Sequence, residues 1–204
     1  MISFISRIIA DFLFKKGVIS EEHKEICAYG YEVVLFNLFN ALLIVVLGIL
    51  FHRLVDSMIF FFIFAVLRQY TGGYHAKNTI MCTAVYLVSY TFIMFVSQSI
   101  YLGEYYTMPL CILLNAAFVG FIFMYAPVEN KNKEYEISEK KKFKKISIIL
   151  GLLVSVISII AYYINIRVSA VVTLTLCTIA VMMLVGAYRG KEEGYHEEGA
   201  EYDG

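Results

Sequence analysis

The sequence has little charge, little proline and no paired cysteines. Only 17% of its 204 residues are charged and two are proline, whereas 60% are hydrophobic and the mean hydropathy is +0.72. Soluble globular domains carry about 25% charged residues, so this composition is not that of an ordinary soluble domain. The cysteines show no spacing typical of a disulfide framework; they are Cys27, Cys82, Cys111 and Cys177. The chain is instead expected to lie in a bilayer.

The N-terminal stretch does not read as a cleaved secretory signal, because Arg7 and Asp11 interrupt its apolar region. Its apolar side chains recur at helical spacing, with polar residues largely on the opposite face. The apolar positions are Ile5, Ile8, Ile9, Phe12 and Leu13. We expect an amphipathic helix on the membrane surface, with packing against the rest of the protein as the alternative. A second helix is predicted to follow, with Ser20 as its N-cap and Gly30 at its end.

Long apolar runs dominate the rest of the chain, and five approach the ~20 residues that cross the hydrocarbon layer of a bilayer. They are Val33–Phe51, Ile80–Ile100, Met108–Ala126, Ile146–Ile164 and Val168–Tyr188. A sixth run, Leu54–Leu67, is shorter and contains Asp56, so it either extends over His52–Tyr70 or is re-entrant. These runs predict an all-α, polytopic membrane protein with about six transmembrane or re-entrant segments and an N-terminal interfacial helix.

The distribution of basic residues predicts the orientation. Fifteen of the 17 Lys and Arg residues fall on one side of the six segments, and only Arg53 and Arg167 fall on the other. Lys and Arg collect in cytoplasmic loops, so both termini and residues 68–82 are expected at the cytoplasmic side of the cell membrane. The lysine-rich residues 126–145 fit the same role, and they could also bind an acidic peptide or anionic lipid. One integral-membrane domain is expected over residues 1–190, followed by an acidic, disordered tail at 191–204.

Residues 68–82, "RQYTGGYHAKNTIMC", interrupt the apolar pattern with reactive side chains. The glycine pair at 72–73 can adopt backbone conformations closed to other residues and predicts a tight, accessible loop. Asn78 is a good N-cap for a helix that begins at Thr79. Cys82 would then lie near the unpaired N–H groups of the first helical turn, a position that stabilises a thiolate.

His75 precedes Cys82 by seven residues, which on one straight helix is about 10.5 Å, too far for a hydrogen bond. The glycine pair would let the loop fold back and bring the imidazole to the thiol, as in a cysteine acyl-transfer enzyme. Singly, a cysteine in a membrane helix is usually a small hydrophobe and a loop histidine is usually solvated. Together, and with Arg68 at headgroup depth, they favour a catalytic pair. Gln69 and Asn78 are candidate oxyanion donors.

The same segment resembles the signature of the accessory gene regulator B (AgrB) family, the membrane cysteine endopeptidases of peptide quorum sensing in Gram-positive bacteria. The resembling residues are 68–77, followed by Cys82 seven positions after the histidine. Ala126-Pro127, after the fourth apolar segment, resembles a second motif of the family. The resemblance extends over essentially residues 1–190.

The resemblance implies that Cys82 is the nucleophile and His75 its base, and it puts Arg68 and Gly73 at positions the family requires for activity. The implied substrate is a short precursor peptide with an amphipathic leader, a core containing Cys or Ser, and an acidic C-terminal tail. Cys82 would cleave the tail from the core and hold the core as a thioester, from which a thiolactone or lactone closes. Arg68 would then hold an acidic group of the tail, or pair with Asp56.

Other classes of protein remain open from the residues alone. A small membrane peptide transporter or exporter without covalent chemistry would use the polar residues of the spans as a path. Those residues are Asn37, Asn40, Asp56, Gln98 and Asn115. A membrane scaffold would make residues 68–82 a simple connection, and polar helix faces could support a homodimer. No nucleic acid partner and no cofactor are expected; one Cys and one His leave a zinc site short of ligands.

Overall fold

The structure, a computed structural model, describes residues 2–72, 79–102, 105–128 and 137–202. Within these ranges the chain is helical, apart from short connections and one isolated β-bridge. The helices are α1 (Ile2–Lys15), α2 (Glu21–Leu50), α3 (Leu54–Thr71), α4 (Thr79–Leu102), α5 (Met108–Tyr125), α6 (Ile137–Ile164) and α7 (Ile166–Tyr202). Six of them, α2 to α7, contain segments long and apolar enough to cross a bilayer. The predicted all-α, multi-pass membrane fold is confirmed.

The short apolar run of the sequence forms one continuous helix, α3, rather than a re-entrant segment. At 1.5 Å per residue its 18 residues extend about 27 Å, close to the ~30 Å of the hydrocarbon layer. Asp56 lies in the first turn of α3 and Arg68 in its last. The two charges therefore lie near opposite ends of the helix.

Backbone contacts divide the chain into two compact units, Met1–Leu54 and Val55–Gly204. In the first unit α1 packs on α2, and Lys24 Nζ lies 2.6 Å from Asp11 Oδ1. The hydrogen bond from Lys24 holds the pKa of Asp11 below its ordinary value. The apolar side chains of Ile5, Ile8 and Phe12 are exposed, as a membrane-surface helix requires.

α2 begins after Ser20, as predicted, but it does not end at Gly30. It continues to Leu50, so the predicted short helix and the first apolar run form one helix of 30 residues. A single glycine lowers helix stability by only about 1 kcal/mol, and the apolar residues on both sides outweigh it. Gly30 was therefore a wrong stop signal.

The second unit is organised around α7, which packs against α4, α5 and α6. More than half of its apolar segment is buried, 56%, compared with 33% or less for each of the other candidate spans. Several buried residues near its start are small, among them Ser169 and Ala170. Small residues allow helix backbones to approach closely in a membrane.

The two ends of α7 are defined by a capping side chain at its start and by a C-terminal end beyond the predicted tail boundary. At its start, Asn165 Oδ1 accepts hydrogen bonds from the backbone N–H groups of Arg167 (3.1 Å) and Val168 (3.3 Å), which fixes the first turn. At its other end the helix assignment continues to Tyr202, whereas the sequence predicts a disordered tail from residue 191. The single domain over residues 1–190 and its boundary with the tail stay predictions.

Candidate active site

α3 and α4 pack against each other in opposite directions. Ser57 Oγ and Tyr90 Oη are 2.8 Å apart. The ring of Phe60 lies 5.4 Å from that of Tyr86, and one turn further along α3 the ring of Phe64 lies 5.1 Å from the same tyrosine. Residue numbers rise along α3 as they fall along α4. The next turn of α3 therefore faces the first turn of α4.

The side chain at this next turn is Arg68, which is half-buried. Its Nη1 donates a hydrogen bond to Met182 Sδ on α7 at 2.7 Å, and its guanidinium carbon lies 5.4 Å from the centre of the Phe64 ring. The antiparallel packing turns this end of α3 toward the first turn of α4, which contains Cys82. A fixed cation therefore lies at the start of α4.

Cys82 is the fourth residue of α4, and the predicted helix start at Thr79 is confirmed. Its side chain is half-buried and forms no disulfide. A helix N-terminus and a neighbouring guanidinium are two surroundings that stabilise a cysteine thiolate. The site thus combines a partly accessible sulfur with two sources of positive potential.

The C-terminal end of α3, at Thr71 and Gly72, is attached to Val128, which follows α5. The Val128 N–H donates to the carbonyl of Thr71 at 2.9 Å, and Gly72 forms a parallel β-bridge with Val128. Gly72 has a φ of +69°, a left-handed conformation that favours glycine. A Cβ at this position would collide with the backbone carbonyl of Val128. Both the conformation and the close approach therefore require glycine.

Three predicted site residues, Gly73, His75 and Asn78, lie outside the described residues. The contact between His75 and Cys82 and the cap by Asn78 stay predictions. Gln69, the remaining candidate oxyanion donor, is on α3 with an exposed side chain. Its predicted role is likewise untested by the structure.

The lysine-rich segment is partly helical rather than a loop, because α6 already begins at Ile137. Its first turns lie beside the last turn of α3, where the rings of Phe143 and Tyr70 are 5.7 Å apart. Four of its lysines are exposed there: Lys140, Lys141, Lys142 and Lys145. The N-terminal end of a helix is itself positive, so these cations add to its field. A cationic surface thus adjoins the end of α3 that carries Arg68.

Comparison with known proteins identifies the family of this chain. The family model for accessory gene regulator B matches residues 6–197. The chain belongs to the accessory gene regulator B family. The resemblance predicted from residues 68–82 is confirmed.

Curated relatives agree with this membership. Putative AgrB-like protein 2 of Clostridium perfringens is 30% identical over 171 residues, which cover 80% of this chain and 79% of the relative. Accessory gene regulator protein B of Staphylococcus aureus is 25% identical over 135 residues, 65% of this chain and 69% of the relative. Protein FsrB of Enterococcus faecalis is 32% identical over 123 residues, covering 59% and 49%. No solved structure matches the chain.

Membership of the AgrB family implies involvement in accessory gene regulator quorum sensing and in processing of the autoinducing peptide. Family membership gives no side-chain contacts, so the contacts of the site come from the structure. One correction concerns Asp56, whose Oδ2 lies 3.3 Å from Arg167 Nε at the start of α7. Pairing of Asp56 with Arg68 is wrong, because 12 helical steps of 1.5 Å separate the two residues by about 18 Å along α3.

A second polar region of this AgrB-family chain lies at the start of α5, around Tyr106 and Thr173. The two hydroxyl groups are 2.8 Å apart, and Thr173 Oγ1 also accepts a hydrogen bond from Asn115 Nδ2 at 2.9 Å and lies 2.8 Å from Ser158 Oγ. Burial raises the pKa of Tyr106 to about 12, so its phenol stays neutral. Cys111 is fully buried in this region, with Sγ 3.6 Å from Ser169 Oγ.

These contacts bear on the transporter alternative. Asp56 pairs with Arg167, and Asn115 bonds to Thr173, so both polar residues hold helices together. Among the described residues, no group of three or more His, Cys, Asp or Glu side chains could hold a metal ion. Buried polar residues used in this way favour packing over a transport path.

Sequence reasoning missed Phe64, Met182 and Val128. Phe64 lies four residues before Arg68, and neighbours at that spacing share a helix face, so this pair had a readable signal. Met182 is 114 residues from Arg68 and Val128 lies in a different connection, so no local pattern links either to the site.

Proposed function

We propose that this chain is a membrane cysteine endopeptidase. It cleaves the C-terminal tail from a quorum-sensing precursor peptide through a Cys82 thioester and promotes closure of a thiolactone or lactone. The observation that carries the proposal is the position of Cys82, partly accessible in the first turn of α4 and opposite Arg68. Family membership supports the same reaction class.

The reaction needs a thiolate, a proton carrier and a site with little water. The Cys82 thiolate attacks the carbonyl that joins core to tail, and the amide C–N bond breaks as His75 gives its proton to the departing amine. The core is then a thioester on Cys82. A thiol or hydroxyl of the core loses its proton to His75, attacks the thioester carbonyl and releases Cys82. Partial burial of the sulfur limits competing hydrolysis.

The cationic surface at the start of α6 is the proposed docking site for the acidic tail of the precursor. It adjoins the last turn of α3 through Phe143 and Tyr70, so a tail held there would keep the scissile bond near Cys82. Exposed lysines interact with carboxylates through water, and salt screens such interactions. We expect precursor binding to weaken as ionic strength rises. Equal binding at low and high salt would remove this docking site from the proposal.

The proposed orientation puts the site and both termini at the cytoplasmic face of the cell membrane, where a precursor bound by an amphipathic leader would present its cut site. Labelling of cysteines introduced next to Arg53 and next to Lys141, with a reagent that does not cross membranes, tests this. In intact cells the first should react and the second should not.

The covalent step is tested in cells that make the chain and its peptide. Membranes are quenched in acid, and the peptide containing Cys82 is examined by mass spectrometry. We expect an acyl adduct that neutral hydroxylamine removes, together with a cyclic peptide in the medium. Cys82→Ser and His75→Ala should abolish the cyclic peptide, whereas Cys27→Ser, a matched change outside the site, should not. Continued release of the cyclic peptide by the Cys82→Ser variant would rule out the mechanism.

A further inference from the structure

We infer that Arg68 is the electrostatic partner of the Cys82 thiolate, and that Phe64 and Met182 position its guanidinium for this role. The inference rests on the proposed function. It assigns Arg68 to the reacting sulfur rather than to the acidic tail of the precursor.

The guanidinium is held from two helices. Phe64, one turn earlier on α3, presents its ring 5.4 Å from the guanidinium carbon, within the ~6 Å of a cation–π contact. Met182 on α7 accepts a hydrogen bond from Nη1 at 2.7 Å. Both side chains are buried, at 5% and 8% relative exposure, so neither can move away without opening the core.

These contacts suit arginine and not lysine. A guanidinium is planar and weakly hydrated, so it can stack on an aromatic face and still direct N–H groups elsewhere. A lysine ammonium is compact and strongly hydrated and cannot use the same apolar surroundings. The cradle of Phe64 and Met182 is therefore selective for the group that Arg68 carries.

The cradle holds the cation opposite Cys82. Antiparallel packing of α3 and α4, seen in the contacts of Ser57 with Tyr90 and of Phe64 with Tyr86, brings the last turn of one helix to the first turn of the other. Both side chains, Arg68 and Cys82, are half-buried. Charges interact more strongly where water is partly excluded. Arg68 and the α4 N-terminus consequently act on the same sulfur.

The experiment is alkylation of the full-length chain in proteoliposomes at pH 7, followed at each cysteine by mass spectrometry. Iodoacetamide, which is neutral, reports the thiolate population, and iodoacetate, which is anionic, reports the local potential as well. We expect Arg68→Gln to slow iodoacetamide at Cys82 about tenfold, since a nearby opposite charge changes a charged population by at least that factor. The iodoacetate rate should fall further. Arg68→Lys should recover only part of either loss.

The positioning residues have matched controls in the same helices. Phe64→Leu and Met182→Leu should each slow alkylation of Cys82 by about threefold to fivefold, from the loss of one cation contact. Phe60→Leu removes a buried ring of the same aromatic cluster, one turn further from Arg68, and Met183→Leu changes the adjacent buried methionine. Both controls should leave the rate within about twofold.

Two results would overturn the inference. If Arg68→Gln changes neither rate at Cys82 but weakens capture of the precursor, Arg68 holds the tail. If Arg68→Gln slows Cys82 but Phe64→Leu and Met182→Leu do no more than their controls, the cradle has no positioning role. The proposed function fails separately, when Cys82→Ser still releases cyclic peptide.

Discussion

Two cysteines of this chain occupy the same place in a helix and have opposite surroundings. Cys82 is the fourth residue of α4, and Cys111 is the fourth residue of α5. Cys82 is half-buried in the helical turn that faces the Arg68 end of α3, whereas Cys111 is fully buried near the hydroxyl of Ser169. Both sulfurs lie at the positive end of a helix. That end alone therefore does not distinguish the two sulfurs; they differ in exposure and in the charge that faces them.

The comparison extends to the regions around the two sulfurs. The region near Cys82 contains Gly72, which has a positive φ, and the exposed cationic surface at the start of α6. Features of this kind are suited to positioning a segment or binding another molecule. Near Cys111 the polar groups bond to one another and connect α5, α6 and α7. The second region therefore holds helices together, whereas the first is the one that the proposed function assigns to chemistry.

The sharpest test compares the reactivity of the two cysteines. With iodoacetamide at pH 7, Cys82 should react about 100-fold faster than Cys111 in the folded protein, because only Cys82 combines access with positive potential. In dodecyl sulfate the ratio should fall to about one, since unfolding removes both differences. Mass spectrometry of the two peptides measures the rates. Equal alkylation rates in the folded protein would show that Cys82 is no more reactive than Cys111.

A second test changes Gly72, which pairs with Val128 at the end of α3. Gly72→Ala should lower production of the cyclic peptide by about 100-fold, because the Cβ collides with the Val128 carbonyl and disrupts the pairing of residue 72 with Val128 at the end of α3. Gly17→Ala is the matched control: Gly17 has a similar φ of +70°, but a Cβ there meets no atom within 4 Å. It should cost about 1 kcal/mol of strain and leave production unchanged. Equal losses in both variants would mean that φ, not the clash, matters.

A third test replaces Thr173, which contacts three polar side chains in the region around Cys111. Thr173→Val loses contacts to Tyr106, Asn115 and Ser158 and should destabilise the fold by about 2 kcal/mol, at roughly 0.6 kcal/mol for each hydrogen bond in a membrane protein. Thr175→Val is a matched control, because Thr175 is equally buried and bonds to the carbonyl of Val171 in its own helix.

Unfolding in mixed micelles gives the stability of both threonine variants. Alkylation of Cys111 should become faster in Thr173→Val, while alkylation of Cys82 stays within about twofold. A slower Cys82 would show that the two regions are coupled.

The smallest effect is expected at the ion pair between Asp56 and Arg167. Arg167 is 35% exposed and Asp56 is 4% exposed, so breaking the pair should cost about 1 kcal/mol, between the values for surface and buried pairs. Asp56→Asn, Arg167→Gln and the double variant form a cycle whose unfolding free energies give the coupling. Alkylation of Cys82, near the other end of α3, should not change. A change there would mean that the pair sets the position of Arg68.

Local chemistry accounts for what could be read from the sequence. Apolar runs predicted about six membrane segments, and the helical spacing of apolar residues at the start of the chain predicted an amphipathic helix, because hydropathy and periodicity act over a single segment. The helix that contains Cys82 was likewise predicted from a local pattern. Gly30 was wrong as a stop signal, because one residue of low helix propensity cannot end a long apolar helix.

The sequence by itself determined the membrane fold, the family and the candidate nucleophile, because each depends on residues close together in the chain. Only the tertiary structure decided which distant groups meet. Met182 contacts Arg68 across 114 positions, Val128 pairs with Gly72, and Asp56 pairs with Arg167 instead of Arg68. Helix packing selects such partners through shape and burial of many side chains at once, and no short pattern in the sequence encodes that selection.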